Sequence, residues 1–175
     1  MKKTYTSTKQ GQLDFFCGIY SCVNMVGKVT DGKIKFSRRS IFSTLLDSLA
    51  DDNALLRVHK HGTSTSQMIK YLRVIKKTFS NEYNVKLKFE RAQIIDKDRH
   101  PKIIEIFQEQ SSQPNTAVIF SFSGRLKHWS VISHITPKTV KLIDSWSYNI
   151  LKLENIGKVH EIDDVFVVKA ELPNE

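Results

Sequence analysis

Residues 117–144, AVIFSFSGRLKHWSVISHITPKTVKLID, carry the reading that sets the fold. Ala117–Phe122 is a compact apolar run directly after Pro114-Asn115, as expected of a buried strand that follows a turn. Trp129, Val131 and His134-Ile135 mark a second strand. Thr136-Pro137-Lys138 is a turn, and Val140, Leu142 and Ile143 form a third strand ending at Asp144. So short a connection predicts an antiparallel hairpin. Its open end then carries His128 at the start of one strand and Asp144 at the end of the other.

Upstream, the apolar spacing changes from that of strands to that of helices. Ile19, Tyr20, Val23 and Val26 recur at helical spacing after Cys17, with Gly27 as the expected stop. Ser37 is placed to cap a helix running through Ala50, with Ile41, Leu45, Leu46 and Leu49 on one stripe. Thr63 or Ser64 caps another, whose stripe is Ile69, Leu72, Ile75 and Phe79. Lys70, Arg73 and Lys77 fall on a different face at i, i+3, i+7. Val85, Leu87 and Phe89 alternate with Lys86 and Lys88 as a half-buried strand. Pro101 suits the first turn of a helix over 103–110, and Val165–Val168 reads as a last strand. Helices first and sequential strands after predict an α+β fold with a mainly antiparallel sheet. No repeat, low-complexity segment or linker divides residues 1–175, so one domain is expected, with 1–11 a polar, poorly ordered lead-in.

Composition limits the function classes. Of 175 residues, 40% are apolar, 26% are charged and only 7 are Gly, which excludes collagen-like and strongly disordered chains. Two cysteines, Cys17 and Cys22, are too few and too close for a disulfide scaffold. No stretch approaches the roughly 20 apolar residues of a membrane span. A soluble protein of a reducing compartment, the cytoplasm, is expected, or one delivered as an effector by a route not visible in the sequence. The net charge of +9 sits wholly in residues 1–80, where 14 Lys/Arg face 5 Asp/Glu; residues 81–175 hold 13 of each. The basic residues of 28–39 and 70–77 would steer an acidic protein or a nucleic acid toward that half, or simply keep it solvated.

The residues able to do chemistry cluster around Gln12-Leu-Asp-Phe-Phe-Cys17-Gly18. A thiol at a helix N-terminus meets the positive end of the macrodipole, which favours thiolate. Gly18 permits close approach of another backbone or a substrate. The Gln12 amide and the Cys17 backbone N–H can together face a developing oxyanion. A nucleophilic cysteine also needs a base and a group to orient it. His59 and His61 lie in a polar stretch without partners at metal-ligand spacing, and His100 and His160 in charged or polar segments. His134 lies at the far end of its strand. His128, with Asp144 beside it, has the right place. Taken singly, a buried Cys, a strand His and a strand-end Asp are ordinary core and turn residues; their joint occurrence is the signal. No cofactor or metal is expected. Phe15, Phe16, Trp129 and Trp146 can line an apolar groove, and Trp129 and Trp146 can shield the His128–Asp144 bond.

QLDFFCGIYSCVNM, residues 12–25, resembles the nucleophile helix of papain-like cysteine peptidases, and in particular their bacteriocin-processing, C39-like branch. His61–Ile69 resembles that branch's Gly-Thr-Ser helix start, and 117–144 its strand, His-strand, turn, strand and Asp. The resemblance spans roughly residues 10–146. It implies an α+β papain-like fold in which the helix bearing Cys17 packs on a sheet bearing His128 and Asp144. By position, Cys17 resembles the nucleophile, His128 the general base, Asp144 the orienting acid and Gln12 the oxyanion donor. The function so implied is a cysteine peptidase acting on a peptide or protein. Deamidation or acyl transfer by an effector or defence protein, and an inactive binding module using the basic half, stay open beside it.

Overall fold

The computed structural model describes residues 16–50, 53–94, 99–123, 128–146 and 148–173. The expected lead-in of 1–11, Gln12, Phe15 and residues 124–127 lie outside them. In chain order the described elements are α1 (Cys17–Val29), α2 (Arg38–Asp47), α3 (Ala54–His61), α4 (Thr65–Tyr83), β1 (Lys86–Arg91) and α5 (Arg99–Ser111). There follow β2 (Thr116–Phe122), β3 (Trp129–Ile135), β4 (Thr139–Ile143), β5 (Ile150–Lys152) and β6 (Ile162–Glu171). The strands form one antiparallel sheet in the order β1-β6-β2-β3-β4-β5.

Alternation along the strands divides the core. Ala117, Ile119, Trp129, Val131, Ile143 and Phe166 face α1, α2 and α4. Val118, Phe120, Ile132, Val140 and Leu142 face the other way, onto Ile103 and Phe107 of α5. With helices on both sides, β2 is buried along its whole length, and so its sequence is a continuous apolar run. The expected hairpin is present: Val131 pairs with Ile143 and Ile132 with Leu142, closed by the bond from the Thr136 amide to the Thr139 carbonyl at 2.8 Å.

Ser37 caps α2 by accepting from the Ser40 amide, and Ser64, rather than Thr63, caps α4 by accepting from the Gln67 amide. Three expectations are corrected, and one segment left unassigned is filled in. α1 runs through Gly27 to Val29, because the left-handed turn that ends the segment falls at Asp31 and Gly32 (φ 50° and 67°). α2 ends at Asp47, with Leu49 still buried beyond it. The buried stripe of α4 includes Met68 and Tyr71, which face α1, and leaves Ile69 half-buried. The polar stretch before Gly62 is itself helix, α3, on which His59 and His61 are exposed.

Candidate active site

The open end of the β3–β4 hairpin brings two side chains together. His128 Nε2 and Asp144 Oδ2 are 2.7 Å apart, with the His128 side chain 2% and the Asp144 side chain 0% exposed. The second carboxylate oxygen, Oδ1, accepts from the Trp146 amide at 2.7 Å, so the chain after β4 turns back to fix the carboxylate plane. Phe122 stacks on the imidazole at 6.5 Å and 13°, and Trp146 meets it edge-on at 6.0 Å.

Cys17 opens α1, and its sulfur lies close enough to the same imidazole to help raise that ring's pKa. With Nε2 engaged by Asp144, Nδ1 is the ring nitrogen left for that sulfur. Two buried polar side chains hold α1 across the hairpin end. The Ser21 hydroxyl donates to the Trp129 carbonyl at 2.8 Å, and the Asn24 amide to the Ile143 carbonyl at 3.5 Å. One anchor thus lies next to His128 and the other next to Asp144. Cys17, Ser21 and Asn24 follow one another at i, i+4, i+7, so a single face of the helix touches all three points. No motif singles out Ser21 and Asn24; their signal in the sequence is polar side chains at that spacing in an otherwise apolar helix.

A third anchor comes from the start of α4. A Cβ at Gly18 would lie 2.3 Å from Thr63 Oγ1, so only glycine admits the threonine against the first turn of α1. The Trp129 indole N–H donates to the Thr63 carbonyl at 2.7 Å. Trp129 is 2% exposed and packs on Phe166, which corrects its expected place on a groove wall: its large apolar surface and its single donor are both satisfied inside. Phe16 is half-buried against Phe42, and Trp146 is 60% exposed. His134 is exposed.

The electrostatics follow from this packing. Burial by itself pushes the His128 pKa down, but the hydrogen bonds and charges of Asp144 and Cys17 outweigh it and raise the value to about 9. Burial pushes the Asp144 carboxyl up, and its bonds to His128 and the Trp146 amide more than reverse this, holding it below the usual carboxylate range. Cys22, one turn inward, is fully buried, and its thiol pKa is driven far upward by desolvation alone. Both cysteines are free. Among the described residues no three His, Cys, Asp or Glu gather as a metal site, and no helix is long and apolar enough to cross a membrane.

No family model matches the sequence, and no curated protein sequence matches it. Among solved structures, it is similar to the peptidase domain of Streptococcus ComA, a bi-functional ABC transporter involved in a quorum-sensing pathway. The TM-score is 0.56 at 10% identity, over 97% of this chain and 99% of that domain. The fold is that of a papain-like C39 peptidase domain. At this identity the likeness is one of fold. It includes the feature that the C39-like resemblance implied, a helix packed on a mainly antiparallel sheet.

Proposed function

We propose that this chain is a single-domain thiol hydrolase, a cysteine peptidase, in which Cys17 is the nucleophile, His128 the proton carrier and Asp144 its orienting partner. The observation that carries the reading is the buried 2.7 Å bond between His128 and Asp144 on an imidazole that also meets Cys17 at the start of α1. A buried histidine held by a carboxylate on one nitrogen and a thiol on the other is arranged to exchange one proton with sulfur.

His128 takes the proton of the Cys17 thiol. The Cys17 sulfur attacks the acyl carbon, and the carbonyl oxygen takes the negative charge. As the first residue of α1, Cys17 has a backbone N–H with no intrahelical acceptor, which can donate to that oxygen, with the Gln12 amide as second donor. The carbon–nitrogen bond breaks as His128 protonates the leaving amine, leaving a thioester on Cys17. Water then attacks the thioester, His128 takes its proton, and the carboxylic acid departs as the sulfur regains its electron pair. Asp144 remains ionised throughout. The apolar side chains offered to the substrate are Phe16, next to Cys17, and the exposed Trp146, whose ring meets His128 edge-on, while a reducing compartment such as the cytoplasm keeps Cys17 a thiol.

The test is iodoacetamide alkylation followed by mass spectrometry across pH. Rapid labelling of Cys17 at about pH 6, well below the ~8.5 of a free thiol, is expected in the native chain and is lost in His128→Ala. Cys22, deeply buried, serves as the unlabelled reference. Labelling of Cys17 that is slow until the pH of an ordinary thiol, and indifferent to His128→Ala, overturns the reading.

A further inference from the structure

Residues 28–77 carry eleven Lys and Arg against four Asp. The structure shows where their counter-ions are not. Every ion pair between described residues draws both partners from Lys88 onward. Arg38 aside, none of the basic residues of 28–77 has a carboxylate within 4.0 Å among the described residues. Among the described residues, the ion pairs thus lie in the sheet half, and the basic side chains of the helical layer other than Arg38 stand outside them.

The sharpest part of that surface is a ridge on α4. Lys70, Arg73 and Lys77 are exposed, opposite the buried Met68, Leu72, Ile75 and Phe79. This helix starts beside the candidate nucleophile, since Thr63 packs directly on Gly18. At 1.5 Å per residue, Lys70 stands about 10 Å and Lys77 about 21 Å along the axis from Thr63. An extended chain at about 3.3 Å per residue covers that distance in roughly three to six residues. The ridge offers no ring on which a nucleic-acid base could stack: Tyr71 and Phe79 are buried, and Tyr83 is stacked on Phe79.

We propose that this ridge, with the basic residues of 28–39 extending the field behind it, holds an acidic segment of a polypeptide substrate whose acyl group lies at Cys17. The inference rests on the thiol-hydrolase reading and names its substrate class. Like charges crowded on one face, with no carboxylate within 4.0 Å of Lys70, Arg73 or Lys77 among the described residues, recover favourable energy when carboxylates settle between them, and the gain is screened by salt.

The test is fluorescence anisotropy with the full chain as Cys17→Ala, so that binding is read without turnover. The probes are a labelled Glu/Asp-rich peptide, its Gln/Asn isostere and a labelled DNA duplex. The acidic peptide should bind at least about tenfold more tightly than the isostere and weaken steadily with added salt. The triple change Lys70→Glu, Arg73→Glu, Lys77→Glu should remove that preference, and the milder Lys70→Gln, Arg73→Gln, Lys77→Gln should reduce it. Lys138→Glu with Lys158→Glu, on the other half, should leave it intact. Equal binding of the isostere, or insensitivity to both triple changes, overturns the proposal. So does a duplex that binds more tightly than the peptide and is lost in the same variants, which would make the occupant nucleic acid. Alkylation is read separately: an inert Cys17 with intact peptide binding retires the hydrolase reading and the substrate role, but not the surface. A reactive Cys17 without peptide binding retires the surface alone.

Discussion

Replacing Asp144 by Asn keeps the volume and one acceptor at the open end of the hairpin but removes a buried charge 2.7 Å from His128. The bare Coulomb energy of such a pair is about 6 kcal/mol at an effective dielectric constant near 20, much of it offset by desolvation. The net worth of a hydrogen bond to a charged group is smaller, about 2 kcal/mol. At about 1.4 kcal/mol per pKa unit, that is between one and two units. The His128 pKa, raised to about 9, should therefore fall to between about 7 and 8. Burial, which pulls it downward, remains unchanged. The assay is an NMR titration of the imidazole 15N and 1H shifts in the native chain, Asp144→Asn and Cys17→Ser. Cys17→Ser should also lower the value, because the sulfur supplies part of the upward shift. If His128 titrates near 6.5 in the native chain, or if Asp144→Asn leaves its pKa unmoved, the electrostatic account of the site is wrong.

Three further outcomes follow from the same geometry. Because His128 is raised when folded, its contribution to stability is complete below about pH 6.5 and is lost as pH rises through about 9; that of Asp144, which is lowered, is present above its unfolded value of about 3.8 and is lost as pH falls through the folded one. Urea midpoints across pH should decline at both ends, and the alkaline decline should vanish in His128→Ala. Gly18→Ala places a Cβ 2.3 Å from Thr63 Oγ1 and should destabilise by about 1–3 kcal/mol in urea titration, with partial recovery in the double variant Thr63→Ala. Trp129→Phe leaves the buried Thr63 carbonyl without its 2.7 Å donor and should lower stability by about 1–3 kcal/mol, whereas Trp146→Ala, at 60% exposure, should change it by less than about 0.5 kcal/mol and be felt instead in peptide affinity.

Local pattern alone reached the parts of this molecule whose cause is local. The strands of 116–143 are legible because their apolar runs are bounded by Pro114-Asn115 and Thr136-Pro137-Lys138, and so short a turn closes a hairpin, whose register shifts between Ile132 and His134. The placing of His128 and Asp144 at the hairpin's open end follows from that turn, while their 2.7 Å contact is seen only in the folded chain. Ser37 and Ser64 cap their helices through atoms only a few residues away. Where the cause is distant, the sequence was silent or misleading. Gly27 looks like a helix stop, but packing against the sheet carries α1 past it. Trp129 looks like a groove residue beside the site, but a carbonyl 66 residues earlier takes its only donor. Ser21 and Asn24 gain their meaning from the backbone of β3 and β4, more than a hundred residues away, and Gly18 from Thr63. The sequence by itself determined which residues carry reactive groups and how the hairpin pairs two of them, since turn chemistry and strand period act over a few residues. The tertiary structure alone decided that the N-terminal end of α1 lies across that hairpin, because long-range packing and buried hydrogen bonds fix the angle between a helix and a sheet.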